Sequence, residues 1–256
     1  HLGTRADQVA IIWEPDDPNE PAQHITYAQL LEQTSRMANV LKDMGVGKGD
    51  RVVIYLPMVP EAAYAMLACT RIGAIHSIVF AGFSPDALGA RINGCDAKVV
   101  ITADHAPRGG RKTPLKSNTD AALLHCKDTV KVLVVKRTGD QTTWVDGRDY
   151  DYNALAAEAS PYCTPAEMNA EDPLFILYTS GSTAAPKGIL LQHGHWVTNS
   201  FHIGERQHVT HHDRLWLAVS LFWSFGIVNA APNLLTHGGC VVLQESFDAG
   251  EALALI

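Results

Sequence analysis

Short apolar runs alternate with helical segments along most of the chain, and this alternation limits the fold more than any other feature of the sequence. Residues 51–56, 76–80, 98–102 and 131–135 form continuous runs rich in β-branched and other apolar side chains. In the intervals between these runs, apolar residues recur at helical spacing. Continuous apolar strands separated by helices are typical of a parallel sheet that helices cover on both faces. The predicted fold class is therefore α/β.

Local signals mark several helix ends. Thr26 is an expected N-cap, apolar side chains then recur at helical spacing as far as Met44, and Gly45 occupies the expected C′ position. Ser84 is a second expected N-cap, with Pro85 at the first helical position. Further helices are predicted at residues 60–71, near 120–125, and over 195–206 and 248–256.

The more polar and less regular stretch 137–164 predicts a border between two α/β lobes with largely parallel sheets covered by helices. Beyond it, apolar runs at 174–178, 215–219 and 240–243 predict further strands. We expect residues 1–165 to form the first lobe and residues 166–256 to start a second, incomplete lobe. A chain of 256 residues is long enough for one or two domains.

Composition and charge exclude several classes of protein. Apolar residues make up 46% of the chain and charged residues 18%, which argues against wholesale disorder. The net charge of −7 gives no electrostatic reason to expect nucleic acid or an anionic membrane as partner. No apolar run approaches the length of a membrane span. Five cysteines without a C-x-x-C pair favour a reducing, cytoplasmic location.

The segment from Tyr178 to Gly188, with the sequence YTSGSTAAPKG, directly follows a predicted strand. Hydroxyl groups, backbone N–H groups and an ammonium on one loop suit the oxygens of a polyphosphate. The segment differs from the G-x-x-x-x-G-K-[ST] loop of P-loop ATPases, because Pro186 precedes the lysine and Gly188 follows it. The candidate phosphate-binding residues are Thr179, Ser180, Gly181, Ser182, Thr183 and Lys187.

This loop closely resembles the phosphate loop of the adenylate-forming superfamily, which includes acyl-CoA synthetases, luciferases and peptide-synthetase adenylation domains. Four other segments resemble acetyl-CoA synthetases: YLPMVPEAA at 55–63, IVFAGFSP at 78–85, ITAD at 101–104 and MNAEDPLFILY at 168–178. The resemblance covers residues 1–188. From residue 189 onward, ILLQHGH at 189–195 and LFWSFG at 221–226 are more similar to medium-chain, long-chain or aryl-CoA ligases, which indicates a divergent member or a join of two members.

The resemblance implies a ligase that uses ATP, Mg²⁺ and coenzyme A. In this reaction a carboxylate attacks the α-phosphate of Mg·ATP to give acyl-AMP, and the thiol of coenzyme A then attacks the acyl carbon. The family's loop closes over the β- and γ-phosphates, so Lys187 is the expected catalytic cation. Ala184 stands where the family usually has glycine, and a positive φ there would cost about 1 kcal/mol.

The resemblance also assigns coenzyme A contacts. Arg108 and Arg111 match two arginines that contact the nucleotide phosphate of coenzyme A, and guanidinium groups suit phosphate. Without the resemblance, both would be interpreted as part of a solvated basic loop. Ala81 and Gly82 match a small-residue turn beside coenzyme A, and the same turn is also explained by the Ser84 helix cap.

Trp223 falls in the region that lines the family's acyl pocket, where a tryptophan shortens the pocket of acetate enzymes. It therefore indicates a short-chain acid, while its Leu-Phe-Trp context and the frequent use of tryptophan in cores leave a larger pocket or a plain core position open. The pair His193/His195 and the triplet His211, His212 and Asp213 lack a partner set with metal-site spacing, and we expect no dedicated metal site.

Family members are about twice as long as this chain. The adenine-contacting Y-G-x-T-E segment, the ribose-binding aspartate and the C-terminal domain with its lysine are absent here, so we expect an N-terminal fragment that is inactive alone. Two alternatives remain: an inactive nucleotide- or coenzyme A-binding fragment, and a ligase for a longer-chain or aryl acid. The expected partners are small molecules only, and the sequence leaves the oligomeric state open.

Overall fold

The structure is a computed structural model that describes residues 1–127, 129–179, 186–217 and 219–255. Its strands are β1 (Val9–Glu14), β2 (Gln23–Thr26), β3 (Arg51–Tyr55), β4 (Ile75–Ile78), β5 (Val99–Ala103), β6 (Ala106–Arg108), β7 (Arg111–Thr113), β8 (Lys131–Val135), β9 (Asp149–Asp151), β10 (Pro173–Thr179), β11 (Lys187–Gln192), β12 (Arg214–Leu217) and β13 (Cys240–Gln244). Its α-helices are α1 (Leu2–Arg5), α2 (Tyr27–Asp43), α3 (Pro60–Ile72), α4 (Pro85–Gly94), α5 (Leu115–Leu123), α6 (Tyr152–Glu158), α7 (His193–Gln207), α8 (Ala231–His237) and α9 (Ala249–Leu255). A π-helical segment, Phe225–Ala230, leads into α8.

Within the described ranges, a large sheet has the strand order β11-β10-β4-β3-β5-β8-β9, and its strands are parallel except for the β10–β11 pair. A small sheet has the order β12-β13-β1-β2, with only β2 antiparallel to its neighbour. The central strands of the large sheet are almost entirely buried, as expected where helices cover both faces. The predicted α/β fold class is confirmed.

Each sheet combines strands from both sides of residue 165. In the large sheet, β10 pairs in parallel with β4, and in the small sheet β13 pairs in parallel with β1. The two ranges 1–165 and 166–256 are therefore interleaved within this chain. The division into two lobes at that position stays a prediction.

The predicted caps are present. Thr26 and Gln29 form a reciprocal capping box at the start of α2, and Gly45 follows the end of the helix with φ +89°. The Ser84 hydroxyl accepts a hydrogen bond from the Ala87 amide at the start of α4, with Pro85 at the first helical position. These signals depend on side chains within three residues, which explains why the sequence alone could identify them.

Four element predictions need correction. The helix predicted near 120–125 is α5 and begins earlier, at Leu115, with Pro114 before it. The stretch 137–164 is not irregular throughout, because it contains β9 and α6, and Asp151 caps α6 by accepting from the Ala154 amide. The strand predicted over 76–80 ends at Ile78, where the Phe80–Phe83 turn begins. The helix predicted from 195 begins at His193.

Strands β1, β2, β6, β7, β9 and β11 were not predicted. Strand β1 occupies an interior position of the small sheet even though it lies far from β13 in sequence. Local periodicity does not identify such a partner, since the pairing is decided by how the two sheets pack.

The large sheet contains a topological switch point between β3 and β5. The chain leaves β3 through α3 toward β4 on one side, and it leaves β5 through α5 toward β8 on the other side. The two connections therefore diverge and leave a crevice at the carboxyl ends of β3 and β5. In open α/β sheets, ligands bind in such crevices.

Candidate active site

A cavity of about 290 Å³ occupies this switch point. The segments that follow β3, β4 and β5 form one side of it, through Leu56–Met58, Phe80–Gly82 and Ala106–Arg108. The carboxyl ends of β12 and β13 and the segments after them form the other side, through residues that include Leu217, Trp223 and Gln244–Phe247. The cavity thus lies where the carboxyl edges of the two sheets meet, and it brings together Ala81, Gly82, Arg108 and Trp223.

The turn that carries Ala81 and Gly82 is held by the last residue of β3. The Tyr55 hydroxyl lies 3.1 Å from the carbonyl oxygen of Ala81 and 3.0 Å from that of Phe83, and it accepts from the Asn118 amide at 3.3 Å. Burial raises the pKa of Tyr55, so its hydroxyl stays protonated and able to donate. A Cβ on Gly82 would lie 2.5 Å from the Phe80 ring, so a larger residue at this position would have to displace that ring.

Arg108 and Arg111 close a two-residue hairpin. They face each other as the last register pair of β6 and β7, and both are exposed. Gly109 and Gly110 between them have φ +57° and +76°, as a type I′ turn requires. Arg108 lines the cavity, whereas Arg111 lies on the far strand of the hairpin and is not part of the cavity wall. A Gly-Gly pair between two short polar runs is the sequence signal that predicts such a hairpin.

Trp223 lies on the cavity wall and is 49% exposed, so it is not a core residue. Its neighbour Phe222 is buried and packs edge-on against Trp223 and Phe83. The segment is tightly folded, because a Cβ on Gly226 would lie 2.6 Å from the Ser220 carbonyl oxygen. The indole therefore presents a large apolar surface to the cavity from a constrained backbone.

The cavity wall that follows β13 was not predicted from the sequence. Glu245 follows β13, has a fully buried side chain and accepts two hydrogen bonds from Arg137 at 2.8 Å each. Arg137 also donates to Glu20 at 2.8 Å and stacks over the Trp13 ring, 4.8 Å from its centroid. This ion pair raises the pKa of Arg137. No local motif marks these residues, because they come from distant parts of the chain.

The candidate phosphate loop starts at the carboxyl end of β10, which is the end of the large sheet at which the cavity lies. Strand β10 runs parallel to β4, so its carboxyl end at Thr179 points to the edge where the cavity lies. The backbone of Thr179 pairs with Lys187, which begins β11 and is exposed. Four predicted phosphate-binding residues, Ser180, Gly181, Ser182 and Thr183, lie outside the described residues, as does Ala184. Their roles stay predictions.

The histidines considered as metal ligands lie in two separate segments. His193 and His195 lie in the first turn of α7, and His211 and His212 lie in a polar turn before β12. In the described part of the chain, no group of three or more His, Cys, Asp or Glu side chains could hold a metal ion. Among the helices of the same residues, none has the length and apolarity to cross a membrane.

All five cysteines are free thiols. Cys69, Cys95, Cys163 and Cys240 are buried, and burial raises the pKa of Cys69 to about 12 and that of Cys95 to about 11. A buried thiol with a raised pKa is a poor nucleophile. None of the five lines the cavity at the switch point.

Comparison with known proteins shows one family over the whole chain. The family model described as AMP-binding enzyme matches residues 1–256. An acetyl-coenzyme A synthetase of Rhodobacter capsulatus is 72% identical over 190 residues, which are 74% of this chain and 29% of the relative. An acetyl-coenzyme A synthetase of Novosphingobium aromaticivorans is 51% identical over 250 residues, which are 96% of this chain and 38% of the relative.

A solved structure has the same fold. An acetoacetyl-CoA synthetase from Streptomyces lividans superposes with a TM-score of 0.87 at 25% identity, over 98% of this chain and 38% of that chain. The chain therefore spans 29–38% of the length of these relatives.

Proposed function

The chain belongs to the AMP-binding enzyme family, and we propose that it supplies part of the active site of an AMP-forming acid–CoA ligase. The observation that carries this proposal is the cavity at the β3/β5 switch point. It joins a small-residue turn, an arginine-bearing hairpin and an exposed tryptophan, and these are the residues that the family pattern assigns to coenzyme A and the acyl group. Acetyl-coenzyme A synthetases among the relatives support the same class of reaction.

The proposed reaction has two steps. In the first, a carboxylate oxygen of the acid bonds to the α-phosphorus of ATP, and the bond from that phosphorus to the pyrophosphate oxygen breaks. In the second, the thiol of coenzyme A loses its proton and bonds to the acyl carbon, and the bond from that carbon to the AMP oxygen breaks. The products are acyl-CoA, AMP and pyrophosphate.

The chain's contribution to the first step is electrostatic. Charge develops on pyrophosphate as it leaves, and a positioned ammonium stabilises that charge without a change in its own protonation. Lys187 is exposed at the start of β11. It pairs with Thr179 at the carboxyl end of β10, the end of the sheet at which the cavity lies, so it is available to a phosphate group there. Mg²⁺ enters this proposal as part of Mg·ATP and supplies further charge neutralisation when bound.

The chain's contribution to the second step is binding and orientation. Arg108 and Arg111 are cross-strand partners in the backbone, both are exposed, and guanidinium groups suit the phosphates of coenzyme A. Arg108, Ala81, Gly82 and Trp223 line one cavity. A flexible thiol arm bound in this cavity would lie near an acyl group beside the indole.

Trp223 favours a short-chain acid as substrate. Its half-exposed ring occupies cavity space that a long acyl chain would need, and the constrained backbone at Gly226 limits how far the ring can move away. The alternative acids are longer-chain or aryl acids, for which the ring would be one wall of a larger pocket. The other alternative is a chain that binds nucleotide or coenzyme A without catalysis.

Titration of the 256-residue chain with coenzyme A, followed by tryptophan fluorescence, tests the binding part of the proposal. We expect a saturable change in wild type, no change in Trp223→Phe, and binding weakened about tenfold or more in Arg108→Ala, because each variant removes one wall contact. Lys127→Ala, at an exposed position away from the cavity, is the matched control and should bind as wild type does. A signal that persists unaltered in both cavity variants would contradict the proposal.

Acid-dependent ATP–pyrophosphate exchange with acetate, propionate, butyrate and a longer acid tests the chemistry. Exchange above a Lys187→Ala control would support adenylation by this chain and identify the preferred acid. Coenzyme A binding without exchange for any acid is the outcome expected of a partial active site that is inactive alone.

A further inference from the structure

Arg91 is a buried cation between two segments that the proposed function uses. It lies in α4, is only 6% exposed, and donates from Nη1 to the Ala87 carbonyl oxygen at 2.7 Å. Its Nε is buried and has no hydrogen-bond partner in the described part of the chain. No carboxylate of those residues forms an ion pair with it. A core-facing helix position is normally apolar, so a charge there needs another source of stabilisation.

Two aromatic rings provide that stabilisation. The guanidinium carbon lies 4.5 Å from the ring centroid of Phe83 and 5.2 Å from that of Tyr178. Both distances are within the range in which the negative face of a ring attracts a cation, and the attraction is stronger where water is excluded. Burial lowers the pKa of Arg91, and the neighbouring Tyr178 opposes that shift.

The two rings belong to different segments of the site. Phe83 ends the turn that carries Ala81 and Gly82, and its backbone is held by Tyr55 at 3.0 Å. Tyr178 lies in β10, one residue before Thr179, and its backbone pairs with Gly188 next to Lys187. Arg91 is thus a contact that joins the candidate coenzyme A turn to the candidate phosphate-loop hairpin through side chains.

The two rings have different surroundings apart from Arg91. Phe83 packs edge-on against Phe80 and Phe222, at centroid distances of 5.7 and 5.2 Å. Tyr178 lies against the end of α4, where a Cβ on Gly94 would come within 2.8 Å of its hydroxyl. A displacement of Phe83 therefore has to move Arg91 or disturb its packing on Phe80 and Phe222.

We propose that Arg91 is a positioning residue that couples the turn at residues 80–84 to the β10–β11 hairpin. The coupling follows from a single guanidinium that both segments need as a neighbour. The assignment of the two segments to coenzyme A and phosphate rests on the proposed function. The contacts of Arg91 with Phe83 and Tyr178 are present without any ligand.

Hydrogen–deuterium exchange of the ligand-free chain tests the coupling. In Arg91→Met, which keeps an apolar stem and removes the charge, we expect amides of both β10–β11 and residues 80–84 to exchange about tenfold faster. Arg91→Lys keeps a cation and should restore exchange to within about threefold of wild type. Lys131→Met, which removes another cation–π contact at the opposite edge of the same sheet, should leave both segments unchanged.

A double-mutant cycle separates coupling from general loosening. Phe83→Leu should speed exchange in β10–β11 of the wild-type background and have no such effect when Arg91 is already methionine. Gly94→Ala, which displaces Tyr178 and keeps the charge, should speed exchange at residues 80–84. An equal effect of Phe83→Leu in both backgrounds would overturn the proposal, and so would unchanged exchange in Arg91→Met. If Arg91→Met unfolds, Gly94→Ala decides, and unchanged exchange at residues 80–84 in that variant would overturn the proposal.

Repeating the measurement with Mg·ATP or coenzyme A distinguishes the two proposals. If neither ligand changes exchange anywhere in wild type, the proposed function fails while the ligand-free cycle still decides on Arg91. If coenzyme A protects residues 80–84, it should also protect β10–β11 in wild type. That second protection should be lost in Arg91→Met.

Discussion

Arg137 and Glu245 form a bidentate ion pair that joins the two sheets of the chain. Arg137 Nε and Nη2 donate to Glu245 Oε1 and Oε2, each at 2.8 Å. Arg137 follows β8 of the large sheet, Glu245 follows β13 of the small sheet, and Glu245 also lines the cavity at the switch point. This pair is therefore one of the contacts that fix the relative placement of the two cavity walls, together with the hydrogen bond from Trp13 to the Met58 carbonyl oxygen.

Glu245→Gln should destabilise the chain by about 2–3 kcal/mol, because it leaves a largely buried guanidinium with only Glu20 as a charged partner. Urea unfolding at pH 7 measures the change. Lys127→Gln, which removes the exposed pair with Asp96, is the matched control and should cost less than about 1 kcal/mol. Equal effects of the two substitutions would show that the inter-sheet pair has no special role.

His76 should make the folded state sensitive to acid. It lies in β4, stacks on Phe175 at 5.3 Å, and neither ring nitrogen has a hydrogen-bond partner in the residues that the structure describes. Burial, with a smaller contribution from nearby His193, lowers its pKa to about 3. The unfolded chain takes up the proton near pH 6.5, so stability is complete above that pH and decreases as the pH falls toward 3.

The measurement is urea unfolding of wild type and His76→Leu at pH 7.5 and 5.5. Between pH 7.5 and 5.5, the free energy of unfolding should fall by about 1 kcal/mol more in wild type than in the variant. The reason is that only the wild-type chain has a histidine here that takes up a proton when the chain unfolds. Parallel losses in the two proteins would contradict the assignment to His76.

Gly226→Ala should disturb the wall that carries Trp223. The new Cβ would lie 2.6 Å from the Ser220 carbonyl oxygen, and a backbone atom cannot move aside as a side chain can. We expect urea unfolding to show a free energy of unfolding lower by about 1–3 kcal/mol, and we expect an altered tryptophan emission spectrum. Gly3→Ala is the control, since a Cβ there meets nothing within 4 Å and should change neither property.

The 256-residue chain should self-associate through its β11 edge. In the described ranges β11 lies at the edge of the large sheet, and Ile189 and Leu190 on it are 49% and 52% exposed. Exposed apolar edge strands promote pairing between copies. Leu190→Lys should increase the monomer fraction in size-exclusion chromatography with light scattering.

The control is Leu124→Lys, at another exposed apolar position, which should not increase the monomer fraction. Wild type that elutes as a clean monomer at micromolar concentration, with one cooperative melting transition, would contradict the expectation of self-association.

The sequence predicted what depends on neighbouring residues. The α2 capping box, the Ser84 cap, the strand at Lys131–Val135 and the alternation of strands with helices are confirmed by the structure. The π-helical segment at Phe225–Ala230 and the hairpin at Arg108–Arg111 were missed, because short elements carry little periodicity. The cavity residues Ala81, Gly82, Arg108 and Trp223 were identified only through resemblance to a family.

By itself, the sequence determined the α/β class and the local start and end of several helices, since apolar spacing and capping side chains act within a few residues. Only the tertiary structure decided that β13 lies beside β1, that Arg137 meets Glu245, and that Arg91 lies between Phe83 and Tyr178. These contacts join residues far apart in the chain. They form only when burial of the sheet faces brings distant segments together, and no local pattern encodes which partner each will meet.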